Sequence, residues 1–189
     1  MKTAFISDIH GNSSALLTVL DDIKSRNVHR IVCLGDMVDA GDDNDYIVEY
    51  MRNNHIITVQ GNHDIINDCK LEKDNQKWLY ELPEMIIEDD IWFTRISPRQ
   101  QKYQIYNNIE AWNVFDKHNF RLCFIGHLHF PVLFGEKYDF FGESCKYVVD
   151  EGELILDGID LPKILFNFLD NFGIIIPNTQ YPIPHFLTH

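Results

Sequence analysis

The first 60 residues of this chain alternate between strand-like and helix-like segments, and few folds accept such a pattern. Apolar, strand-like runs occur at Lys2–Ser7, His29–Leu34 and His55–Gln60. The segments between them, Asn12–Arg26 and Tyr46–Asn53, have the three- and four-residue apolar spacing of helices. This alternation predicts parallel strands covered by helices. Ligands bind such sheets at the carboxyl ends of the strands.

The rest of the chain predicts a second sheet. Two further helices are expected at Asp74–Glu81 and near Asn108–Lys117. Further strands are expected at Met85–Glu88, Ile91–Arg95, Phe120–Ile125, Pro131–Phe134, Lys146–Val149 and Glu153–Leu156. The last three suit an antiparallel second sheet better than further parallel units. The predicted fold is therefore α/β (α+β), a two-sheet β-sandwich flanked by helices.

Four short polar clusters each directly follow an apolar, strand-like run. They are Asp8-Ile9-His10, Gly35-Asp36-Met37-Val38-Asp39, Gly61-Asn62-His63-Asp64 and Gly126-His127-Leu128-His129. Carboxylate, amide and imidazole groups are the ligands that hold paired divalent cations. Taken singly, each cluster is equally compatible with a helix cap, a turn or exposed histidines. The four together predict a two-metal site that cleaves phosphoesters.

Particular roles follow from residue type and spacing. Asp8 and His10 stand two apart, so both can face one ion, while His127 and His129 face the same way and can reach two neighbouring ions. Gly35 allows close approach of the backbone, and the carboxylate of Asp36 can bridge two cations. Asn62 offers a carbonyl oxygen. His63 can protonate a leaving oxygen, with Asp39 or Asp64 available to orient its ring.

At these residues the chain resembles the calcineurin-like metallophosphoesterases, in particular the small bacterial and archaeal members. The resemblance covers residues 2 to about 135 and implies a four-layer version of the predicted sandwich. It implies one metal held by residues matching Asp8, His10, Asp36 and His129. It implies a second held by Asp36, Asn62, His127 and a further, lone histidine. It also implies that His63 is the catalytic acid and that Asp39 pairs with it.

Arg95 stands where the lone histidine is expected. A guanidinium has no lone pair to give a metal and stays charged, so the second metal site loses a ligand. Two hypotheses remain open for this side chain. It contacts the substrate phosphate bidentately and takes part in catalysis, or it points away into an ion pair.

Length and composition indicate the kind of protein that carries this site. The 189 residues, 45% of them hydrophobic, predict a single domain over residues 1–189 with an atypical C-terminal segment at about 163–189. That segment is expected to be a docking tail, a contact in a homo-oligomer or an atypical terminus. The net charge of −13 disfavours an extended nucleic-acid partner. The short amino terminus and unpaired cysteine spacing predict a cytoplasmic protein without a membrane segment.

The function predicted from the sequence is hydrolysis of phosphomonoesters or phosphodiesters. The expected mechanism uses a water activated by two divalent metal ions, and Mn²⁺, Fe and Zn²⁺ all suit mixed nitrogen and oxygen ligands. A small phosphorylated substrate or a phosphoprotein is the expected partner. The alternative is a scaffold or binding module of the same fold with an incomplete second metal site, which the arginine at position 95 favours.

Overall fold

The computed structural model describes most of the chain, namely residues 2–100, 103–129, 131–137, 144–148, 153–155, 163–167 and 173–176. The strands in these ranges are β1 (Thr3–Ile6), β2 (Arg30–Cys33), β3 (Ile57–Thr58), β4 (Met85–Glu88), β5 (Ile91–Thr94), β6 (Leu122–Ile125), β7 (Val132–Glu136), β8 (Ser144–Val148), β9 (Glu153–Ile155), β10 (Ile164–Asn167) and β11 (Gly173–Ile176). The helices are α1 (Ser13–Ser25), α2 (Asn44–Asn53), α3 (Asn62–Ile65), α4 (Lys73–Glu81) and α5 (Asn108–Lys117).

The strands form two sheets. In the first, the described strands follow the order β3-β2-β1-β11-β9, with β1, β2 and β3 parallel as predicted. In the second the order is β4-β5-β6-β10-β7-β8. There β5, β6 and β10 run parallel, while β4, β7 and β8 are antiparallel to their neighbours. The carboxyl ends of β1, β2, β5 and β6 each lead into a loop that carries a polar residue of the candidate site.

The two sheets pack face to face through an aromatic core. Phe5 of the first sheet lies 4.3 Å from Phe124 and 5.8 Å from Phe93 of the second, measured between ring centroids. Val32 and Leu34 belong to the same cluster. Burial of such side chains stabilises the fold by about 1.5–3 kcal/mol each. This core fixes the distance between the two sheets, and with it the distance between the loops at their ends.

Helices cover the outer face of each sheet. On the first sheet, the buried face of α1 and α2, including Leu16 and Ile47, packs against Ala4 and Ile6. On the second sheet, Phe115 and its neighbours on α5 pack against the strands. The result is a four-layer α/β sandwich, and the predicted fold class is confirmed. None of the described helices combines the length and the apolar character needed to cross a bilayer.

Two strands near the carboxyl terminus were not predicted. Residues 163–189 were expected to form an atypical tail, but β10 lies between β6 and β7, and β11 lies beside β1. Residues 164–166 are buried. These two strands therefore belong to the sheets of the domain, because each is paired with a neighbour on both sides. A contact of this segment with a partner stays a prediction. Residues 177–189 lie outside the described part of the chain.

Strand β9 is also placed differently from the prediction. It was expected in an antiparallel second sheet, but it pairs in parallel with β11 at the edge of the first sheet. The antiparallel pairing of β7 with β8 agrees with the prediction. The difference arises because the partner of β9 is β11, a strand that the sequence pattern did not reveal.

Candidate metal centre

The polar clusters meet because their loops are hydrogen-bonded to one another. The backbone N–H of Asp8 donates to the carbonyl of Gly35 at 3.1 Å, and the N–H of Gly11 donates to Met37 at 2.9 Å. Within the second sheet, the N–H of Gly126 donates to the carbonyl of Arg95 at 3.0 Å. These bonds join the loops after β1 and β2 to each other and the loops after β5 and β6 to each other, and the side chain of Arg95 links the two pairs through Asp8 and Asp36.

Left-handed backbone conformations direct the site side chains inward. Six of the predicted site residues have positive φ, namely Asp8 (57°), His10 (48°), Asp36 (55°), Asp39 (82°), His127 (77°) and His129 (56°). Such angles are uncommon for residues other than glycine and cluster at functional sites. Side-chain alternation along a strand, which was expected to align Asp8 with His10 and His127 with His129, does not apply because these residues follow the strand ends. Tight left-handed turns bring them together instead.

Asp8, His10 and His129 form a group able to hold one metal ion. Their ligand atoms all lie within 4.8 Å of one another. Oδ1 of Asp8 is 3.2 Å from Nε2 of His129 and 3.8 Å from Nε2 of His10. Nδ1 of His10 lies 3.2 Å from the carbonyl of Val38, which suits an N–H at that atom and leaves Nε2 to face the ion. The hydrogen bond to Asp8 is the main reason that the pKa of His10 is raised.

Arg95 inserts its guanidinium among the same carboxylates. Nη1 donates to Oδ2 of Asp8 at 2.8 Å and to Oγ of Ser7 at 2.7 Å. Nη2 donates to Oδ1 of Asp8 and to Oδ2 of Asp36. Arg95, Asp36 and Asp8 are respectively 0%, 0% and 3% exposed, so the three form a buried ionic cluster. Arg95 therefore forms ion pairs, as one of the two hypotheses expected, but with carboxylates of the site itself rather than away from it. Its contact with a substrate phosphate stays a prediction.

The guanidinium keeps the neighbouring carboxylate charged. Burial acts to raise the pKa of Asp8, but the hydrogen bonds from Arg95 and His10 outweigh it and hold that pKa well below its usual range. Burial likewise acts to lower the pKa of Arg95, yet its bonds to Asp8 leave that pKa above the ordinary value. Both groups are ionised at neutral pH.

The predicted ligands of a second metal ion are not free to form a complete site. Oδ1 of Asp36 accepts from the backbone N–H of His63 at 2.9 Å, and Oδ2 is bonded to Arg95. Nε2 of His127 lies 2.5 Å from the amide nitrogen of Gln104. Burial is the main reason that the pKa of His127 is lowered. Oδ1 of Asn62 is buried without a hydrogen-bond partner among the described residues, so it alone of this set presents an open acceptor.

The two predicted metal sites thus differ in how well their residues suit an ion. Asp8, His10 and His129 converge with mixed carboxylate and imidazole atoms, which suits Mn²⁺, Fe or Zn²⁺. In the second set, the permanently charged guanidinium of Arg95 is bonded to Asp36, the carboxylate that both ions were expected to share. The residues fit one metal ion and do not fit the second.

His63 pairs with Asp39 at the edge of this cluster. Nδ1 of His63 lies 2.7 Å from Oδ2 of Asp39, and both side chains are partly exposed. The hydrogen bond from His63 is the main reason that the pKa of Asp39 is lowered. The His63 ring meets the His10 ring edge to face, with 4.9 Å between centroids.

Asp64 has a different role from the one considered for it. Its carboxylate accepts hydrogen bonds from the backbone N–H groups of Gly61, Asp36 and Met37 at 2.7, 3.0 and 2.8 Å. Burial, together with the charge of Asp36, raises the pKa of Asp64 to about 6. This side chain ties the loop after β3 to the loop after β2 and does not orient the His63 ring.

Two residues of the site were not predicted. Ser7 donates to Oδ2 of Asp8 at 2.5 Å and accepts from Arg95. Its position directly before the first cluster was a usable signal. Gln104, which contacts His127, lies in a segment without a recognisable pattern, and its amide accepts a hydrogen bond from Tyr106. No sequence signal could have identified it.

A cavity of about 610 Å³ adjoins the cluster at Asn62. Its lining includes Ile66, Met85 and Arg99. Ile66 is 79% exposed, and the Arg99 guanidinium lies 5.1 Å from the centroid of the Tyr103 ring. The cavity therefore combines apolar surface with a cationic group next to the site, which is typical of pockets for small charged ligands.

The fold and this site define an α/β protein with a metal-binding cluster at its strand ends. The family model described as calcineurin-like phosphoesterase matches residues 1–131. The chain belongs to this family.

Individual relatives are similar to this chain beyond the residues that the family model matches. An uncharacterized protein of Methanocaldococcus jannaschii is 30% identical, over 95% of this chain and 88% of its own length. The crystal structure of a metallophosphoesterase from Sphaerobacter thermophilus is 27% identical with a TM-score of 0.76, over 91% of this chain and 77% of that one. A zinc-dependent endopolyphosphatase of Saccharomyces cerevisiae is 33% identical over 81 residues, which are 40% of this chain and 24% of the yeast protein.

Proposed function

We propose that this chain is a metal-dependent phosphoesterase that hydrolyses small phosphorylated substrates. The observation that carries the proposal is the His63–Asp39 pair beside the Asp8–His10–His129 group. A proton donor next to a metal-binding group is what hydrolysis of a phosphoester requires, because charge develops on both the phosphoryl oxygens and the leaving oxygen. Membership of the calcineurin-like phosphoesterase family supports the same reaction class.

Asp8, His10 and His129 would hold the metal ion. A bound divalent ion supplies Lewis-acid chemistry at the phosphoryl group and lowers the pKa of water. The backbone carbonyl of Val38 lies within hydrogen-bond distance of Nδ1 of His10, which orients the ring and leaves Nε2 for the ion. The contact of His129 with Asp8 brings a third ligand atom to the same point.

His63 would donate the proton to the leaving oxygen. Asp39 accepts from Nδ1, so the proton that moves is the one on Nε2. The lowered pKa of Asp39 keeps this carboxylate charged, so that it can accept from Nδ1 and orient the ring. The partial exposure of His63 leaves its ring accessible to a substrate.

The adjoining cavity would hold the remainder of the substrate. Arg99 supplies a cation for a phosphate or carboxylate, and Ile66 and Met85 supply apolar contacts. The net charge of −13 favours small substrates over extended nucleic acid. We expect the reaction in the cytoplasm, with Mn²⁺ or Zn²⁺ as the first ions to test.

A second candidate is a non-catalytic binding module. The observation in its favour is that Arg95 already offsets negative charge on Asp8 and Asp36, the carboxylates that metal ions would otherwise bind. The His63–Asp39 pair weighs against it, since a scaffold does not require a partly exposed proton donor in this place.

One experiment separates the two candidates. The purified chain is freed of metal and then supplied with Mn²⁺ or Zn²⁺, and hydrolysis of p-nitrophenyl phosphate, bis-p-nitrophenyl phosphate and inorganic polyphosphate is followed. The phosphoesterase proposal predicts turnover only with metal, loss of turnover in His10→Ala, and unchanged turnover in His55→Ala, whose histidine is exposed in the loop before β3. Absence of turnover on all substrates with metal bound supports the binding module.

A further inference from the structure

The Arg95 guanidinium bonds the carboxylates of both Asp8 and Asp36 through a single nitrogen, Nη2. Asp36 is the carboxylate that both ions were expected to share, and Arg95 stands where the lone histidine of the second site was expected. We propose that Arg95 takes the place of the second metal ion, so that this chain binds one divalent ion where two were expected. The inference rests on the proposed function for the presence of the first ion.

Arg95 is built into the site. Its side chain is fully buried, and its backbone carbonyl accepts from Gly126. A Cβ atom at Gly126 would lie 2.5 Å from Nη1 of Arg95 and 2.5 Å from Oγ of Ser7. The absence of a side chain at this position is what leaves room for the guanidinium. The loop after β6 therefore accommodates an arginine at the end of β5.

Charge favours the same conclusion. Asp8, Asp36 and Asp64 place three buried carboxyl groups close together, and one fixed guanidinium offsets part of their repulsion. An ion held by Asp8, His10 and His129 would lie near that guanidinium, with two imidazoles beside it to compensate. A second divalent ion placed on Asp36 would be repelled both by the guanidinium and by the first ion. Breaking the buried ion pairs of the guanidinium to make room for a metal ion would cost additional free energy.

The remaining ligands cannot outweigh this repulsion. The acceptor nitrogen of His127 is engaged by Gln104, and the orientation of that amide is fixed by Tyr106. Asn62 alone presents an open oxygen, and a neutral amide is a weak ligand without a carboxylate beside it. The first group keeps both imidazoles together with Asp8, so a single ion is held there.

The test is the number of ions bound per chain. The full-length protein is stripped with chelator, reconstituted with excess Mn²⁺, desalted and analysed for metal and by electron paramagnetic resonance. We expect about one Mn²⁺ per chain and the hyperfine pattern of an isolated ion. Arg95→His, which removes the guanidinium and supplies an imidazole, should bind about two ions and give the spectrum of an exchange-coupled pair.

Matched variants make the result unambiguous. Arg121→His introduces the same residue where arginine pairs with the exposed Asp90, and it should still bind one ion. Arg95→Lys keeps a positive charge and should also bind one. The ion count and spectrum of the wild-type chain decide the inference even where Arg95→His does not fold. Two coupled ions in the wild-type chain, or none, would overturn the inference.

These readouts do not depend on turnover. A wild-type chain with one ion and no hydrolysis of any phosphoester rejects the proposed function and leaves the role of Arg95 intact. An active chain with two coupled ions rejects the role of Arg95 and leaves the proposed function intact.

Discussion

Nδ1 of His63 lies 2.7 Å from Oδ2 of Asp39, so the carboxylate fixes one side of the ring and leaves Nε2 for proton transfer. We expect His63→Ala to lower kcat by about 10²–10⁴-fold, the usual effect of removing a general acid. Because His63 is not in the Asp8–His10–His129 group, the metal content should not change. Steady-state kinetics and metal analysis of the same preparation measure both quantities.

Asp39→Asn provides the matched test of the pair. It removes the carboxylate that orients the His63 ring while keeping the size of the side chain, so kcat should fall less than in His63→Ala. His55→Ala serves as the control for loss of an exposed histidine. Full activity in His63→Ala would show that the proton reaches the leaving oxygen from another group.

Asp64 is expected to be important for stability. It accepts from three buried backbone N–H groups, and Asp64→Asn would leave at least one of them facing an amide N–H₂. A buried donor without a partner costs about 1–3 kcal/mol. We expect the free energy of unfolding to fall by about that amount in urea denaturation.

Asp68→Asn is the control for this change. Asp68 is exposed four residues further on, so the same substitution should change the free energy of unfolding by less than about 0.5 kcal/mol. A more stable Asp64→Asn variant would mean that relief of the repulsion between Asp64 and Asp36 outweighs the lost hydrogen bonds.

Gly126 should be coupled to Arg95 in stability. In Gly126→Ala the new Cβ would overlap Nη1 of Arg95 and Oγ of Ser7, and such overpacking costs about 1–3 kcal/mol. In the background of Arg95→Ala the guanidinium is gone, so the cost of Gly126→Ala should be smaller. Urea denaturation of the four proteins of this double-mutant cycle measures the difference, expected at about 0.5–3 kcal/mol. Additive effects would show that Arg95 does not occupy this space.

The strands that carry the candidate site could be predicted from local patterns. β1, β2 and β6 are short apolar runs that end directly before a polar cluster, and the chain itself displays both features. β10 and β11 could not be found in the same way. Their partners are β6, β7, β1 and β9, all distant in sequence, and what makes them strands is that pairing.

The direction of individual side chains was the other feature that local patterns could not supply. The sequence identified Arg95 as a departure from the expected histidine, but both hypotheses for it placed the guanidinium outside the carboxylate cluster. Its actual position depends on the space left at Gly126 and on the hydroxyl of Ser7, which belong to two other loops. The left-handed turns at Asp8 and Asp36 likewise depend on bonds between loops.

The ion pairs of Arg95 predict that a variant without them responds more strongly to metal than the wild type does. Arg95→Met keeps the length of the side chain but leaves the buried carboxylates of Asp8 and Asp36 without their cation. Loss of one partner of a buried ion pair costs about 3–5 kcal/mol, so the variant should be much less stable in chelator. Excess Mn²⁺ should then stabilise the variant more than the wild type, because an ion that binds only the folded state adds to its stability and the variant has more room for cations. Thermal denaturation of both proteins with EDTA and with Mn²⁺ measures this difference.

Arg121→Met, which breaks a surface pair with Asp90, should cost no more than about 1 kcal/mol and respond to Mn²⁺ as the wild type does. Equal stability of Arg95→Met and wild type in chelator would contradict a charged, buried guanidinium at this position.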